Sequence, residues 1–386
     1  MYIEFEEPTN GAALRQASVS TVLDALQRQP RCSRAELAEL TGLSKPTVAT
    51  ALTALEGGGL VRERGRTIGR RGPSASLYEF VADAALVLGV DVGAHRVRAV
   101  LADLDGTLHA DAEAGLEVAD AEQLLRVIGE LASGLRRSAI ELVIVGSPGI
   151  VDPGSGRIRS CPQIEGWEGI EAERVLSELL GISTTVENDV NLATLGELAG
   201  GAGQGRTSFA YLNVGSGLGA GLVIDGRLYR GRHGAAGEVG YLAVGADPAA
   251  ATTTSRGAME KRLSHEGLVR FARSLDPDAP GDSRELFARA RRGDRLGRAV
   301  VAEATDALSV CIASVTAVVD LDLVLIGGGI GLQSDVLIEP LRDSTAALVP
   351  YPPEILPGAL GDQAVLTGAA AIGALQARRL LLGRCL

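Results

Sequence analysis

The alternation of apolar and polar positions divides the chain near residue 82. Before it, Val22, Leu23 and Leu26, then Leu37, Leu40 and Leu43, then Val48, Leu52 and Leu55 recur at helical spacing, which predicts three amphipathic helices. The separators are specific. Ser33 with Glu36 three residues on is a capping-box pattern, Thr41-Gly42-Leu43-Ser44 turns around a glycine, and Lys45-Pro46-Thr47 opens a helix with proline in its first turn. Gly57-Gly58-Gly59 ends that helix. Leu60-Val61-Arg62-Glu63-Arg64 and Leu77-Tyr78-Glu79-Phe80 then flank residues 65–73 as the strands of a predicted hairpin.

After residue 85 the pattern changes to apolar β runs. Leu86-Val87-Leu88-Gly89-Val90-Asp91-Val92-Gly93 and Val97-Arg98-Ala99-Val100-Leu101-Ala102-Asp103-Leu104 are predicted strands, with a hairpin turn at Asp105-Gly106. A helix over 121–137 precedes the strand Leu142-Val143-Ile144-Val145, which runs into Gly146-Ser147-Pro148-Gly149. Thr185-Val186-Glu187-Asn188-Asp189-Val190-Asn191 is a strand end that delivers two carboxylates and two carboxamides into the start of a helix. The order then repeats: strand Ser208 to Val214, the run Gly215-Ser216-Gly217-Leu218-Gly219-Ala220-Gly221, strand Leu222-Val223-Ile224 and turn Asp225-Gly226. Leu323-Val324-Leu325-Ile326 ends in Gly327-Gly328-Gly329, a helix and loop follow over 331–350, and a helix over 368–382 closes the chain. The duplication predicts two related lobes with a cleft between them.

Helix, glycine turn and second helix is the helix-turn-helix pattern, whose second helix enters a major groove by its N-terminal residues. Those are Ser44, Lys45, Thr47 and Thr50. The basic hairpin behind them reads as a wing, with Arg62, Arg64, Arg66, Arg70 and Arg71 placed for phosphates or the minor groove. Charge distribution supports one dedicated polyanion-binding module. The chain carries a net charge of −11, yet residues 1–80 hold ten Lys/Arg against nine Asp/Glu, leaving 27 against 39 for the rest.

Length and composition add bounds. At 386 residues, two or three domains are expected. No run reaches about 18 apolar residues, and the first residues are acidic where a secretory signal would be basic, so the expected location is the cytoplasm without a membrane partner. Cys32, Cys161, Cys311 and Cys385 lie far apart without metal-ligand or redox spacing, as expected of reduced structural thiols. No glycine loop fits a dinucleotide fingerprint or a Walker loop.

Together, Asp91-Val92-Gly93, Ser147-Pro148-Gly149-Ile150-Val151-Asp152, residues 162–167, Glu187-Asn188-Asp189-Val190-Asn191, residues 215–221, Gly234-Ala235-Ala236-Gly237-Glu238-Val239-Gly240 and Gly327-Gly328-Gly329 resemble the ROK family of repressors and sugar kinases over nearly the whole chain. With a winged helix in front, the chain is similar to the family's regulator branch. The resemblance implies an α/β architecture: an N-terminal tail over 1–16, a winged helix-turn-helix over 17–81, and a two-lobed actin/hexokinase-like (ribonuclease-H-like) body. Its first lobe spans 82–205, with the C-terminal helix 368–386 packing back on it, and its second spans 206–367. It also implies that Asn188, Asp189, Glu238 and Glu260 line a sugar site, with Gly149, Gln163 and Tyr241 nearby. In the family's kinases the residue matching Asp189 is the general base.

Two departures shape the functional expectation. The kinase phosphate loop usually reads Asp-x-Gly-Gly-Thr-Lys, whereas this chain has Asp91-Val92-Gly93-Ala94-His95-Arg96, putting a methyl where backbone should approach a phosphate. The family's zinc ligands, one His and three Cys, fall on Tyr241, Ala251, Thr253 and Ala258, so no zinc is expected. The expectation is a sequence-specific DNA-binding repressor of sugar metabolism without kinase activity, needing no cofactor. Its partners would be a double-stranded operator, a sugar or sugar-phosphate effector and its own copies in a homodimer or homotetramer. The alternative is an ATP-dependent sugar kinase with an appended DNA-binding domain, in which Asp189 is catalytic.

Overall fold

The computed structural model describes residues 11–66, 74–135, 140–244 and 257–385. Most of the predicted tail, the hairpin turn with Arg70 and Arg71, and the positions Ala251 and Thr253 lie outside the described residues. The N-terminal module runs α1 (Gly11–Arg28), β1 (Cys32–Ser33), α2 (Arg34–Thr41), α3 (Lys45–Gly57), β2 (Val61–Arg66) and β3 (Ser76–Phe80), its three strands ordered β1-β3-β2. The capping box at α2 forms in both directions: Ser33 Oγ accepts from the Glu36 amide at 3.3 Å, and Glu36 accepts the Ser33 amide at 2.9 Å. Gly42 ends the helix at φ +69°, a conformation that few other residues adopt cheaply. Leu40 departs from the amphipathic reading. It is 52% exposed, because the short α2 turns only Leu37 fully inward. The edge strand β1 was not predicted, since two residues carry no period.

The first body sheet takes β4 (Leu86–Val92), β5 (Arg96–Asp103), β6 (Leu108–Gly115), β7 (Ile140–Ser147) and, after the two-residue pair β8 (Ile150–Val151) and β9 (Ile158–Arg159), β10 (Thr184–Asn188). Helix α4 (Ala121–Leu135) precedes β7, α5 (Ala172–Leu180) precedes β10, and α6 (Asp189–Gly200) follows it. The second sheet takes β11 (Phe209–Val214), β12 (Leu218–Ile224), β13 (Arg227–Tyr229), β14 (Leu323–Gly327) and β15 (Glu354–Pro357). Between its strands lie α7 (Ala258–Leu263), α8 (His265–Leu275), α9 (Ser283–Arg291), α10 (Arg295–Val319), α11 (Gly328–Gly331) and α12 (Ser334–Ala346), and α13 (Ala364–Arg384) closes the chain.

The two sheets share one topology. Their orders are β10-β7-β4-β5-β6 and, read from the matching edge, β15-β14-β11-β12-β13, with three antiparallel meander strands followed by two parallel additions in each. Helices α6 and α13 follow equivalent last strands and pack on each other. Gly368 was read as the start of the closing helix, but it lies inside α13. A Cβ there would sit 1.8 Å from the Leu192 carbonyl oxygen, and one at Gly196 would sit 2.1 Å from the Ala364 carbonyl. The two glycines permit a close helix crossing.

The same pair joins body to winged helix. One hydrophobic cluster contains Val22, Leu23, Leu26, Leu52 and Leu55 of the N-terminal module, Leu192 and Leu195 of α6, and Ala369, Ala377 and Leu382 of α13. A polar tie reinforces it: Gln27 donates to Asp105 at 2.9 Å. Within the body, Arg378 of α13 donates to the Leu104 carbonyl beside that contact. Helices α10 and α13 are long and apolar enough to cross a membrane, yet their buried faces belong to these cores. Trp167 is fully buried in the first lobe and donates Nε1–H to Ser147 Oγ at 2.9 Å, and so has no ligand face. All four cysteines are unbridged.

Candidate functional site

The strand-to-helix junction at residue 188 is built by Asn188 itself. Its Oδ1 accepts from the Asn191 amide at 3.0 Å and caps α6, while Nδ2 donates to the Gly149 carbonyl at 2.9 Å and to Asp189 Oδ1 at 3.2 Å. Both ends of that carboxamide therefore position the site, a role beyond the ligand contact expected of it. Gly149, at φ +89°, comes so close to the next hairpin that a Cβ would lie 2.8 Å from the Arg159 carbonyl. Glu187 is buried and accepts from Arg230 at 2.6 Å, Asn191 at 2.9 Å and the Asn188 amide at 3.0 Å. Arg230 follows β13, so this ion pair ties the two lobes together immediately behind Asn188 and Asp189.

All seven residues expected at a sugar site meet in one cavity of about 170 Å³: Gly149, Gln163, Asn188, Asp189, Glu238, Tyr241 and Glu260. They come from both lobes. Gly237, at φ +89°, holds the loop bearing Glu238 against β12, since a Cβ there would meet the Ala220 carbonyl at 1.8 Å. Gln163 and Tyr241 stand at the mouth, Tyr241 being 46% exposed. The family's zinc does not fit the residues present: Tyr241 and Ala258 supply neither imidazole nor thiolate. Among the described residues no three His, Cys, Asp or Glu cluster to hold a metal ion.

Asp189 also lines a second cavity of about 180 Å³, with Asp91, Arg98, Tyr211, Asn213, Gly328 and Asp362. Desolvation, then the charges of Asp91 and Glu238, push the Asp189 carboxyl up to about 7. Its Oδ1 accepts from the Val190 amide at 2.8 Å, and no Lys, Arg or His among the described residues pairs with it. Glu238 is raised as well, by burial and by Glu260. Asp189 and Glu238, two partly buried carboxylates with no ion pair among the described residues, stand beside carboxamides and are suited to accepting from and donating to vicinal hydroxyls.

The other predicted face is on α3 and β2. Ser44 caps α3, its Oγ accepting from the Thr47 amide at 3.3 Å and lying 2.8 Å from Thr47 Oγ1, while Thr50 donates back to the Pro46 carbonyl at 3.1 Å. The three hydroxyls are thus engaged within the helix, and Lys45 is the exposed charge among them. Arg62 and Arg64 both donate to Glu79, at 2.7 and 2.8 Å, and Arg31, which the sequence reading did not single out, lies 3.5 Å from the same carboxylate. Arg64 first, and then Arg62, hold the Glu79 carboxyl down at about 2. The group remains net positive, and Glu79 orders it. Arg66 is exposed on the same strand.

Residues 87–376 match the ROK family, and residues 21–62 match the winged helix-turn-helix DNA-binding family. The xylose repressor of Caldicellulosiruptor bescii is 24% identical over 353 residues, covering 86% of this chain and 88% of its own. A crystal structure of a ROK family transcriptional regulator, a homolog of the E. coli MLC protein, shares the fold at a TM-score of 0.80 and 21% identity, over 96% of this chain and 99% of its own. A ROK family glucokinase from Streptomyces griseus, in complex with glucose and AMPPNP, matches at a TM-score of 0.66 and 26% identity, over 75% of this chain and 100% of its own.

Proposed function

The chain belongs to the ROK family, and from that premise we propose that it is a DNA-binding transcriptional repressor of sugar metabolism, controlled by a sugar or sugar phosphate held between its lobes. The observation that carries this reading is the shared hydrophobic cluster. The helix whose first residue is Asp189 and the helices of the winged module pack into one core through α13. A ligand that draws the lobes together at Asn188, Asp189 and Glu238 moves α6 against α13, and α13 carries α1 and α3 with it. By linkage, such a ligand changes DNA affinity by the ratio of its affinities for the two arrangements.

The likeness to a xylose repressor along most of both chains supports the regulator reading. Lys45 and the Arg31, Arg62, Arg64 and Arg66 group supply the phosphate contacts, and the N-terminal turns of α3 read the groove. A homodimer or homotetramer places two such modules on a pseudo-palindromic operator, and a DNA partner places the protein in the cytoplasm. In a thermal-shift screen of sugars and sugar phosphates, a ligand that raises stability should also alter operator binding. Failure of every such ligand to do either would reduce the body to a scaffold.

One observation favours a second reading, an ATP-dependent sugar kinase with an appended DNA-binding domain. A carboxyl raised to about 7 is tuned for a general base near neutral pH. That reading predicts sugar-dependent ADP release abolished by Asp189→Asn.

A further inference from the structure

Asp189 stands between two cavities whose linings differ in what they can hold. A phosphoryl donor meeting a hydroxyl held at Asp189 must approach from the side of Asp91 and the glycine loop, because the sugar cavity takes up the other. That approach needs a cation to bridge carboxylate and phosphate, and backbone N–H groups to cradle the phosphate oxygens.

On this side the chain's own side chains already take both places. Asp91, at the end of β4, is paired in register with Arg98 of β5, and Arg98 donates to its Oδ2 from Nη2 at 2.5 Å and from Nε at 3.2 Å. The two side chains are only 12% and 13% exposed, so their attraction is weakly screened, and a guanidinium does not lose its charge. At the glycine loop, a Cβ on Gly327 would lie 2.0 Å from the Tyr211 hydroxyl, which faces the Gly328 amide, leaving Gly329 as the open position. The remaining charged lining groups are both acidic, Asp189 and Asp362, the latter bridged by Arg96 at 3.4 Å, so the lining itself offers a triphosphate no cation besides Arg98.

We infer that Arg98 stands in the place of the metal ion of a phosphoryl-transfer site and denies the second cavity its cation, so that the cleft accepts its sugar but no metal–nucleotide. The inference rests on the sugar reading only for the place of Asp189. It names the specificity-determining residue: removing Arg98 takes from Asp91 its hydrogen-bonded cation and leaves the carboxylates of Asp91 and Asp189 facing one cavity, which is a site for a hard divalent cation.

The test uses the full chain as wild type, Arg98→Ala and Arg98→Lys, with Mn²⁺ alone in a thermal-shift titration and Mg·ATP in calorimetry. Wild type and Arg98→Lys should show no Mn²⁺-dependent shift, while Arg98→Ala should melt lower without metal and bind Mn²⁺ at least about tenfold more tightly than wild type. Equal Mn²⁺ response in Arg98→Ala and wild type overturns the assignment. So does micromolar binding of Mg·ATP to the wild type, a measurement that stands even if Arg98→Ala fails to fold. Sugar binding is read in the same calorimetric series, so loss of the sugar reading and loss of this one are separate outcomes.

Discussion

The two ends of α6 carry buried carboxylates in opposite circumstances. At its C-terminal end Glu197 is 0% exposed and accepts backbone N–H groups from Ala202 at 2.8 Å, Ala359 at 3.1 Å and Leu360 at 2.9 Å. At its N-terminal end Asp189 forms no ion pair among the described residues, faces two cavities and is pushed up to about 7. A carboxylate with all its partners in the protein is structure, and one held in low dielectric with donors on one oxygen only is kept for a ligand at a cost in stability.

The largest effect that would break this contrast is at Glu197. Glu197→Ala leaves three backbone donors unpaired where the 358–360 loop meets α6, and chemical denaturation should show a loss of about 3–5 kcal/mol. Gly368→Ala should come next, at about 1–3 kcal/mol, because its Cβ would lie 1.8 Å from the Leu192 carbonyl oxygen, a backbone atom of the facing helix. It should also weaken the sugar's effect on DNA binding, since it disturbs the α6–α13 crossing without touching the cavity.

Asp189→Asn should act in the other direction on stability. A carboxyl raised from 3.8 to about 7 binds its proton more tightly folded than unfolded, so its favourable contribution is complete below the unfolded value and is lost as pH rises through about 7. The variant should be stable across that window relative to wild type while losing about 100-fold in sugar affinity by calorimetry, because a hydrogen-bonding site penalises a mismatched partner. A pH-independent difference between the two proteins would contradict the unpaired reading of Asp189. The smallest effect belongs to the ordered cations: Arg64→Ala should weaken operator binding a few-fold and reduce the salt slope by about 1.

Much of this was legible in the sequence because it rests on local chemistry. The capping box at Ser33 and Glu36, the glycine turn at Gly42 and the proline in the first turn of α3 specify the helix-turn-helix, and the repeated β order foretold two sheets of one topology. The seven cavity residues were named from the resemblance, and the structure brings them to one place. What the sequence left hidden depends on tertiary approach. Gly368 looked like a helix boundary and is a crossing point. Arg98 was one basic residue in an apolar strand until the β4–β5 register set it on Asp91. Glu187 appeared as a site carboxylate, and only the fold shows Arg230 holding it as a strut between lobes.

The most direct test of the central claim is fluorescence anisotropy of operator DNA, selected from a random pool by the full-length protein, titrated with and without a sugar found by thermal shift. The account predicts that the sugar changes operator affinity for the wild type, and that Asp189→Asn binds the same DNA but no longer responds. Wild-type affinity unmoved by a sugar that demonstrably binds the cleft would contradict it.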